Sequence, residues 1–119
     1  MCGRYTLFTD TEAREIREII EGSSITARAK QTALKIFEIL AQAESKAHGV
    51  PVEEVHFHEV GAVDSIVDIV SIAVCLDDLD ITDVIVPVLY DGTGFIRCQH
   101  GQIPVPVPAV VNVAQANHL

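Results

Sequence analysis

The chain has 119 residues, enough for one small domain, and 49% of them are apolar while only 5% are aromatic, which predicts a core of aliphatic side chains. The formal net charge of -9 repels nucleic-acid phosphates and anionic membranes, and it favours cations or partners with basic faces. The sequence shows no signal peptide, no apolar run of the ~20 residues that span a bilayer, and no disulfide or zinc-ribbon spacing among its three cysteines. We therefore expect a soluble, cytoplasmic protein with reduced thiols that binds neither nucleic acid nor membrane.

Two helices are predicted in the first part of the chain. Residues 9–12 combine a capping side chain with an acidic first turn, so a helix would begin there and run to about residue 21. Thr26 can cap a longer helix that reaches about residue 47, because apolar residues recur there at helical spacing. Gly49 would end this helix in a left-handed conformation.

The segment that follows contains a short strand and a third helix. Residues 55–58 are predicted to be extended, and Asp64 opens a helix that runs to about residue 79. Apolar side chains surround most of the circumference of this helix, a pattern typical of a buried helix.

The last part of the chain is predicted to contain a hairpin. Residues 84–89 and 95–99 would be its strands, joined by a tight turn at residues 91–94. Alternating prolines make residues 101–108 an extended segment near polyproline II that cannot lie inside a sheet. A further helix begins at residue 109.

These elements predict an α+β fold in which two or three helices pack on a small sheet that includes the 84–89 and 95–99 strands. We treat residues 1–119 as a single domain. Since the last helix has only begun where the sequence stops, we expect a fragment of a larger protein, or a small domain that needs a partner surface.

The densest group of possible metal ligands is His56, His58 and Glu59. In an extended backbone, residues two apart point to the same side, so the two imidazoles would lie together with Phe57 buried behind them. Two neutral imidazoles and a carboxylate suit zinc, nickel, copper or iron. The alternative is a strand with a polar edge and no metal.

Asp64 and Asp68 are four residues apart and would share one face of the third helix. Either could add a ligand if the turn at Gly61 brings the helix close to His58. Asp64 could equally be a simple helix cap. Asp68 lies within a nearly all-apolar helix, where a buried carboxylate is costly unless it is paired or bound to metal.

Cys98 and His100 form a second alternating pair that would face one side of a strand. Thiolate and imidazole together make a soft site that suits nickel and zinc. The alternatives are an inert buried thiol and a turn histidine. No nucleophile elbow, phosphate-binding loop or dinucleotide fingerprint occurs, so hydrolase, kinase and dehydrogenase functions have no support.

Two long blocks, residues 55–70 and 94–109, resemble signature regions of LarC-type nickel insertion proteins, and residues 43–49 are also similar. The resemblance extends over about residues 16–116 and corresponds to the central part of the N-terminal region of these proteins. It implies a CTP-dependent nickel chelatase, a lyase, that inserts Ni(II) into a pyridinium bis-thiocarboxylate mononucleotide. That compound is the precursor of the nickel-pincer cofactor of lactate racemase.

The nickel must be held by imidazole and carboxylate and then passed to sulfur atoms of the precursor. We expect His56, His58 and Glu59 to hold it, with Asp64, Asp68 and His100 nearby. The resemblance places CTP and a divalent metal outside this stretch, because family members are several times longer and carry a further, nucleotide-associated domain.

Two alternatives remain open at this point. The first is a non-catalytic metal-binding or oligomerisation module, working as a homo-oligomer or with a partner chain that carries the missing regions. The second follows from residues 1–7, which resemble the start of SRAP-type proteins that cross-link abasic DNA through an N-terminal cysteine, here Cys2. That resemblance covers only about ten residues, and the negative charge opposes DNA binding.

Overall fold

The computed structural model describes residues 13–55, 57, 63–98 and 101–119. These residues form four α-helices, one 3₁₀ turn and one antiparallel pair of strands. In chain order the elements are α1 (Ala13–Gly22), α2 (Ala27–His48), the 3₁₀ turn (Val52–Glu54), α3 (Val63–Asp78), β1 (Gly94–Cys98), β2 (Gly101–Val105) and α4 (Pro108–Ala116). The α+β class predicted from the sequence is confirmed.

Helix α2 is the centre of the fold, and α1, α3 and α4 all pack against it. It begins where predicted, because Thr26 has an extended backbone and its Oγ1 accepts a hydrogen bond from the Ala29 N–H at 3.1 Å. It ends at Gly49, whose φ of 68° is left-handed and whose N–H donates to the Ser45 carbonyl at 2.8 Å. Both predicted ends of the long helix are therefore confirmed.

The hydrophobic core lies where α1, α2 and α3 meet residues 55 and 57. Small alanines on one face of α2 let the neighbouring elements approach closely, and Phe37 fills the centre of that face. The Phe37 and Phe57 rings pack edge to face, with centroids 6.1 Å apart and planes at 72°. The core residues are Ile16, Ile20, Ala33, Phe37, Ala41, Val55, Phe57, Ile66 and Ala73.

Helix α3 is only partly covered, so the prediction of a fully buried helix was wrong for the described residues. Ile66 and Ala73 are buried on the side that faces α2. Ile69 and Val70 are partly buried against the core. Four further large apolar side chains are 38–55% exposed: Val63, Val67, Ile72 and Val74. The sequence shows that apolar residues surround this helix, but it does not show whether the chain itself supplies anything to cover them.

The sheet differs from the predicted one. Residues 84–89 form no strand within the described part of the chain; their side chains are exposed and the backbone bends at Pro87. Instead β1 pairs with β2, in a register that places Phe95 opposite Pro104 and Cys98 opposite Gly101. Proline is tolerated there because both strands of a two-stranded ribbon are edge strands.

The predicted tight turn at residues 91–94 therefore does not join two strands. Residues 91–93 lead into β1, and the connection between β1 and β2 falls at residues 99–100, outside the described residues.

Helix α4 confirms the last predicted element and returns the chain to α2. Pro108 occupies its first turn, where a missing N–H is harmless. The Asn112 side chain donates from Nδ2 to the Ala43 carbonyl at 3.0 Å and so fixes α4 against α2. Within the described ranges, none of the helices combines the length and apolar character needed to cross a membrane.

Candidate metal centre

The two residues that flank the predicted ligand His56 in the sequence are both buried. Val55 and Phe57 are 2% and 1% exposed, and Phe57 packs against Phe37 on α2. The expectation that Phe57 is buried is confirmed. His56, His58 and Glu59 lie outside the described residues, so their role as ligands stays a prediction.

Asp64 and Asp68 lie one helical turn apart on α3, as the sequence predicted, and both are exposed. The Asp64 Oδ1 accepts a hydrogen bond from the neighbouring Ser65 N–H at 2.9 Å, in the first turn where a carboxylate favours the helix dipole. The burial argument for Asp68 was wrong, because water can solvate its exposed carboxylate. Among the described residues, no hydrogen bond or ion pair joins Asp64 or Asp68 to a residue that is distant in the sequence.

The other predicted ligand is His100, paired with Cys98. Cys98 is the last residue of β1 and lies opposite Gly101, while His100 lies outside the described residues. In the ranges that the structure describes, no group of three His, Cys, Asp or Glu side chains is arranged to hold a metal ion. Since only Asp64 and Asp68 of the predicted ligands fall in those ranges, the complete ligand set stays a prediction.

A polar network that sequence reasoning missed joins the start of α2 to the end of α3. The Thr26 hydroxyl donates to Asp77 Oδ2, and Arg28 donates to Asp80 Oδ1 at 2.7 Å and to the Ile81 carbonyl at 3.1 Å. The hydrogen bond that Arg28 donates to the Asp80 carboxylate raises the pKa of the Arg28 guanidinium above its ordinary value, against a smaller opposing effect of desolvation. Asp77 and Asp80 therefore position two helices, and we do not count them as metal ligands.

No local signal in the sequence could have revealed this network, because its partners are 51 to 53 residues apart. Of these residues, the sequence identified only Thr26, as a helix cap.

A groove of about 570 Å³ lies between α1, α2 and the 3₁₀ turn, next to the predicted ligand segment. Phe57 is among its apolar lining residues, with Ile16, Leu34, Phe37, Ala41 and Val52. Its charged lining consists of Arg14, Arg17, Glu38 and Glu53.

The two arginines of this groove are three residues apart on α1, and each approaches a glutamate one turn further along that helix, at 3.9 and 3.7 Å. Such exposed pairs are weak, so the guanidinium groups stay free to exchange partners. The two guanidinium groups beside apolar side chains can contact a flat ring with anionic substituents, while Glu38 and Glu53 make the charged lining neutral overall.

Comparison with known proteins gives a consistent result. The sequence model of the family described as "Nickel insertion protein" matches residues 7–119. The pyridinium-3,5-bisthiocarboxylic acid mononucleotide nickel insertion protein of Alkaliphilus metalliredigens is 58% identical over 106 residues, which cover 89% of this chain and 25% of the relative. The protein of the same name from Acetivibrio thermocellus is 50% identical over 105 residues, 88% of this chain and 26% of the relative.

A third relative of that name, from Geobacillus kaustophilus, is 49% identical over 110 residues, 88% of this chain and 27% of the relative. The chain thus spans about a quarter of the length of the curated relatives it matches. No solved structure matches it. The family match begins at residue 7 and includes both blocks on which the predicted resemblance rested. The chain belongs to the nickel insertion protein family.

Proposed function

We propose that this chain is the part of a nickel insertion protein that holds Ni(II) before its transfer to a pyridinium bis-thiocarboxylate mononucleotide. The observation that carries this proposal is the buried Phe57, which packs against Phe37 in the core and stands between the predicted ligands His56 and His58 in the sequence. The names of the relatives supply the substrate, a pyridinium-3,5-bisthiocarboxylic acid mononucleotide. We assign the use of CTP and a divalent metal to the three quarters of the relatives that this chain does not match.

The chemistry of the proposed ligands suits transfer better than storage. Imidazole and carboxylate bind Ni(II), but they do not select it by softness as thiolates do. A precursor with two sulfur donors can therefore draw the ion away. Asp64 and Asp68 are exposed on one face of α3, so water can replace either carboxylate as the ion leaves.

Calorimetric titration with Ni(II) tests the proposal. We expect micromolar binding by the unaltered chain and a loss of roughly 100-fold or more in the His56→Ala/His58→Ala variant, because changes even outside the ligand shell weaken metal sites 10- to 100-fold. The matched control is His48→Ala/His118→Ala, which removes two imidazoles from other parts of the chain and should keep the unaltered affinity. Equal affinity in both double variants would refute the placement of nickel at this segment.

The groove beside Phe57 is the proposed position of the organic precursor. Its apolar side chains would contact the pyridinium ring, and Arg14 and Arg17 would pair with the phosphate or thiocarboxylate groups. Nicotinic acid mononucleotide carries the phosphate and a carboxylate in place of the thiocarboxylates, and it serves as the probe. We expect the dissociation constant of the probe to rise about tenfold or more in Arg14→Gln/Arg17→Gln, corresponding to the loss of one charge-assisted hydrogen bond.

The control for this test is Lys30→Gln/Lys46→Gln, which makes the same change in net charge away from the groove lining. If both double variants weaken the probe equally, the effect is one of overall charge and the groove is not the site.

A non-catalytic, partner-dependent module is the second candidate function. It is favoured by the large apolar side chains of α3 and of residues 84–90 that lie exposed. A nickel-binding part that assembles with another polypeptide would combine both candidate functions.

A further inference from the structure

Residues 84–90 form the longest exposed apolar run of the described chain. The sequence is Val-Ile-Val-Pro-Val-Leu-Tyr, and its large apolar side chains are 44–88% exposed. An isolated exposed apolar residue is ordinary, but a contiguous run of this length marks an interaction surface. Because apolar residues occupy both alternating sets of positions, the pattern is that of a strand buried on both faces.

Within the described residues, no hydrogen bond joins the main chain of residues 84–90 to any other group. Unpaired N–H and C=O groups next to exposed β-branched side chains are a template for strand addition.

A second apolar surface lies just before this run in the sequence. Val63, Val67, Val70 and Val74 recur at intervals of four, three and four residues, so they form one stripe along α3. Val63, Val67 and Val74 are exposed, whereas Val70 is partly buried against the core, which Ile66 and Ala73 on the neighbouring face also contact. A helix with a largely exposed apolar stripe followed by an apolar strand is the arrangement in which a helix packs on a sheet.

We propose that residues 84–90 are a β-strand of a sheet whose adjacent strand is supplied by the part of nickel insertion proteins that this chain does not match, and that the valine stripe of α3 packs on that sheet. The relatives are about four times as long as the matched region, so they contain ample chain to build it. This inference rests on the family assignment and does not depend on nickel binding.

The charges at the ends of the run argue against a second copy of this chain as the occupant. Asp83 and Asp91 flank residues 84–90. Antiparallel self-pairing would place Asp83 near Asp91 of the other copy, and parallel pairing would place identical carboxylates side by side. Each copy also carries a net charge of -9. The flanking carboxylates instead favour a strand with lysine or arginine at its ends.

Pro87 determines which edge of the proposed strand can pair fully with the neighbouring strand. Backbone groups of alternate residues in a strand point to opposite sides, and proline has no N–H to donate. The side that carries Val84, Val86, Val88 and Tyr90 keeps all its donors, whereas the side of Pro87 lacks one. The chain bends at Pro87 when the run is unpaired, so pairing on the complete side would straighten it.

The test combines the full 119-residue chain with the Alkaliphilus metalliredigens relative from which the matched stretch has been deleted. We expect a one-to-one complex in sedimentation analysis, with amide exchange at Val84, Val86, Val88 and Tyr90 slowed by about 100-fold or more. Val88→Pro removes an N–H donor from the strand edge that is proposed to pair. It should weaken the complex at least tenfold more than Leu89→Pro, which removes an N–H from the opposite edge, where Pro87 already lacks one. Both positions are exposed and unpaired, so the helical circular dichroism of the free variants should match the parent.

Three results would overturn the proposal: no complex with the unaltered chain, equal weakening by the two proline variants, or protection of the same amides in a homodimer. If the deleted relative does not fold, amide hydrogen exchange in the intact relative tests the proposal instead. The stretch aligned with residues 84–90 should exchange slowly there and rapidly in the isolated chain, and rapid exchange in both would refute the strand. Nickel titration of the isolated chain is a separate readout, so failure of one proposal leaves the other standing.

Discussion

Asp68 offers a way to separate a structural from a metal-binding role at a single residue. Its carboxylate is exposed on α3, so Asp68→Asn leaves no buried group unpaired. We expect the free energy of unfolding to change by less than about 0.5 kcal/mol, while the Ni(II) dissociation constant rises about tenfold if Asp68 contributes to the proposed site. Urea unfolding and calorimetric titration measure the two quantities.

The control is Asp78→Asn, which makes the same charge change at the exposed far end of α3. It should leave both quantities unchanged. Identical nickel affinities in the two variants would remove Asp68 from the predicted ligand set.

Phe57 illustrates how alternation in a sequence can predict the burial of a single side chain. Its burial was expected from its position between two histidines, and the structure places it against Phe37. We expect Phe57→Ala to lower the free energy of unfolding by about 3–5 kcal/mol, because it opens a cavity in the core. Phe95→Ala, at an exposed position of β1, should change it by less than about 0.5 kcal/mol in the same urea titration.

A cost below about 1 kcal/mol for Phe57→Ala would mean that the Phe57 ring does not stabilise the core. The exposure of Asp68, in contrast, could not be predicted from its own sequence neighbourhood. Whether a helix face is covered depends on distant parts of the fold.

Thr26 both caps α2 and joins it to α3, and a series of substitutions can distinguish these two contributions to stability. Its Oγ1 accepts from the Ala29 N–H and the same hydroxyl donates to Asp77 on α3. We expect Thr26→Ala to lower the free energy of unfolding by about 1–2 kcal/mol, the upper part of the range for a lost helix cap. Thr26→Ser keeps the hydroxyl and should recover most of that loss in urea unfolding.

Asp77→Ala should cost less than Thr26→Ala, because it leaves the cap in place and removes only the Thr26 contact and a partly exposed ion pair with Arg28, which contributes little. If the two variants were equally destabilised, capping would contribute nothing at this helix end.

Helix ends were predictable because their signals are local, whereas strand pairing was not. Thr26 and Gly49 act within a few residues of themselves, and both were identified from the sequence. The strand at residues 95–99 had a possible partner on either side in the chain, and the structure pairs it with the proline-containing segment that follows. Proline excludes a central strand but not an edge strand, and the sequence did not reveal which position residues 101–105 occupy.

At the scale of the whole molecule, net charge and ion pairs act in opposite directions. The chain has 17 acidic and 8 basic residues, so long-range repulsion opposes the compact state. Ion pairs within α1 and α2 are exposed and contribute little. The Arg28 pairs with Asp77 and Asp80 join two helices, but the Arg28 side chain is itself 43% exposed.

The dependence of Tm on salt concentration tests whether the long-range repulsion or the ion pairs contribute more. Raising KCl from about 10 mM to about 150 mM shortens the Debye length from roughly 30 Å to roughly 8 Å, so repulsion between distant carboxylates falls while contacts near 3 Å are less affected. We expect the Tm in metal-free buffer to rise by about 4–8 °C, the shift that corresponds to ~1 kcal/mol in a domain of up to about 100 residues. Arg28→Gln removes a positive charge and should make this rise larger, since it leaves a net charge of -10 (from -9) and no guanidinium beside Asp77 and Asp80. A Tm that falls as KCl is added would show that the ion pairs between α2 and α3 outweigh the repulsion, and the contribution of Arg28 to holding these helices together would then exceed that of an ordinary surface pair.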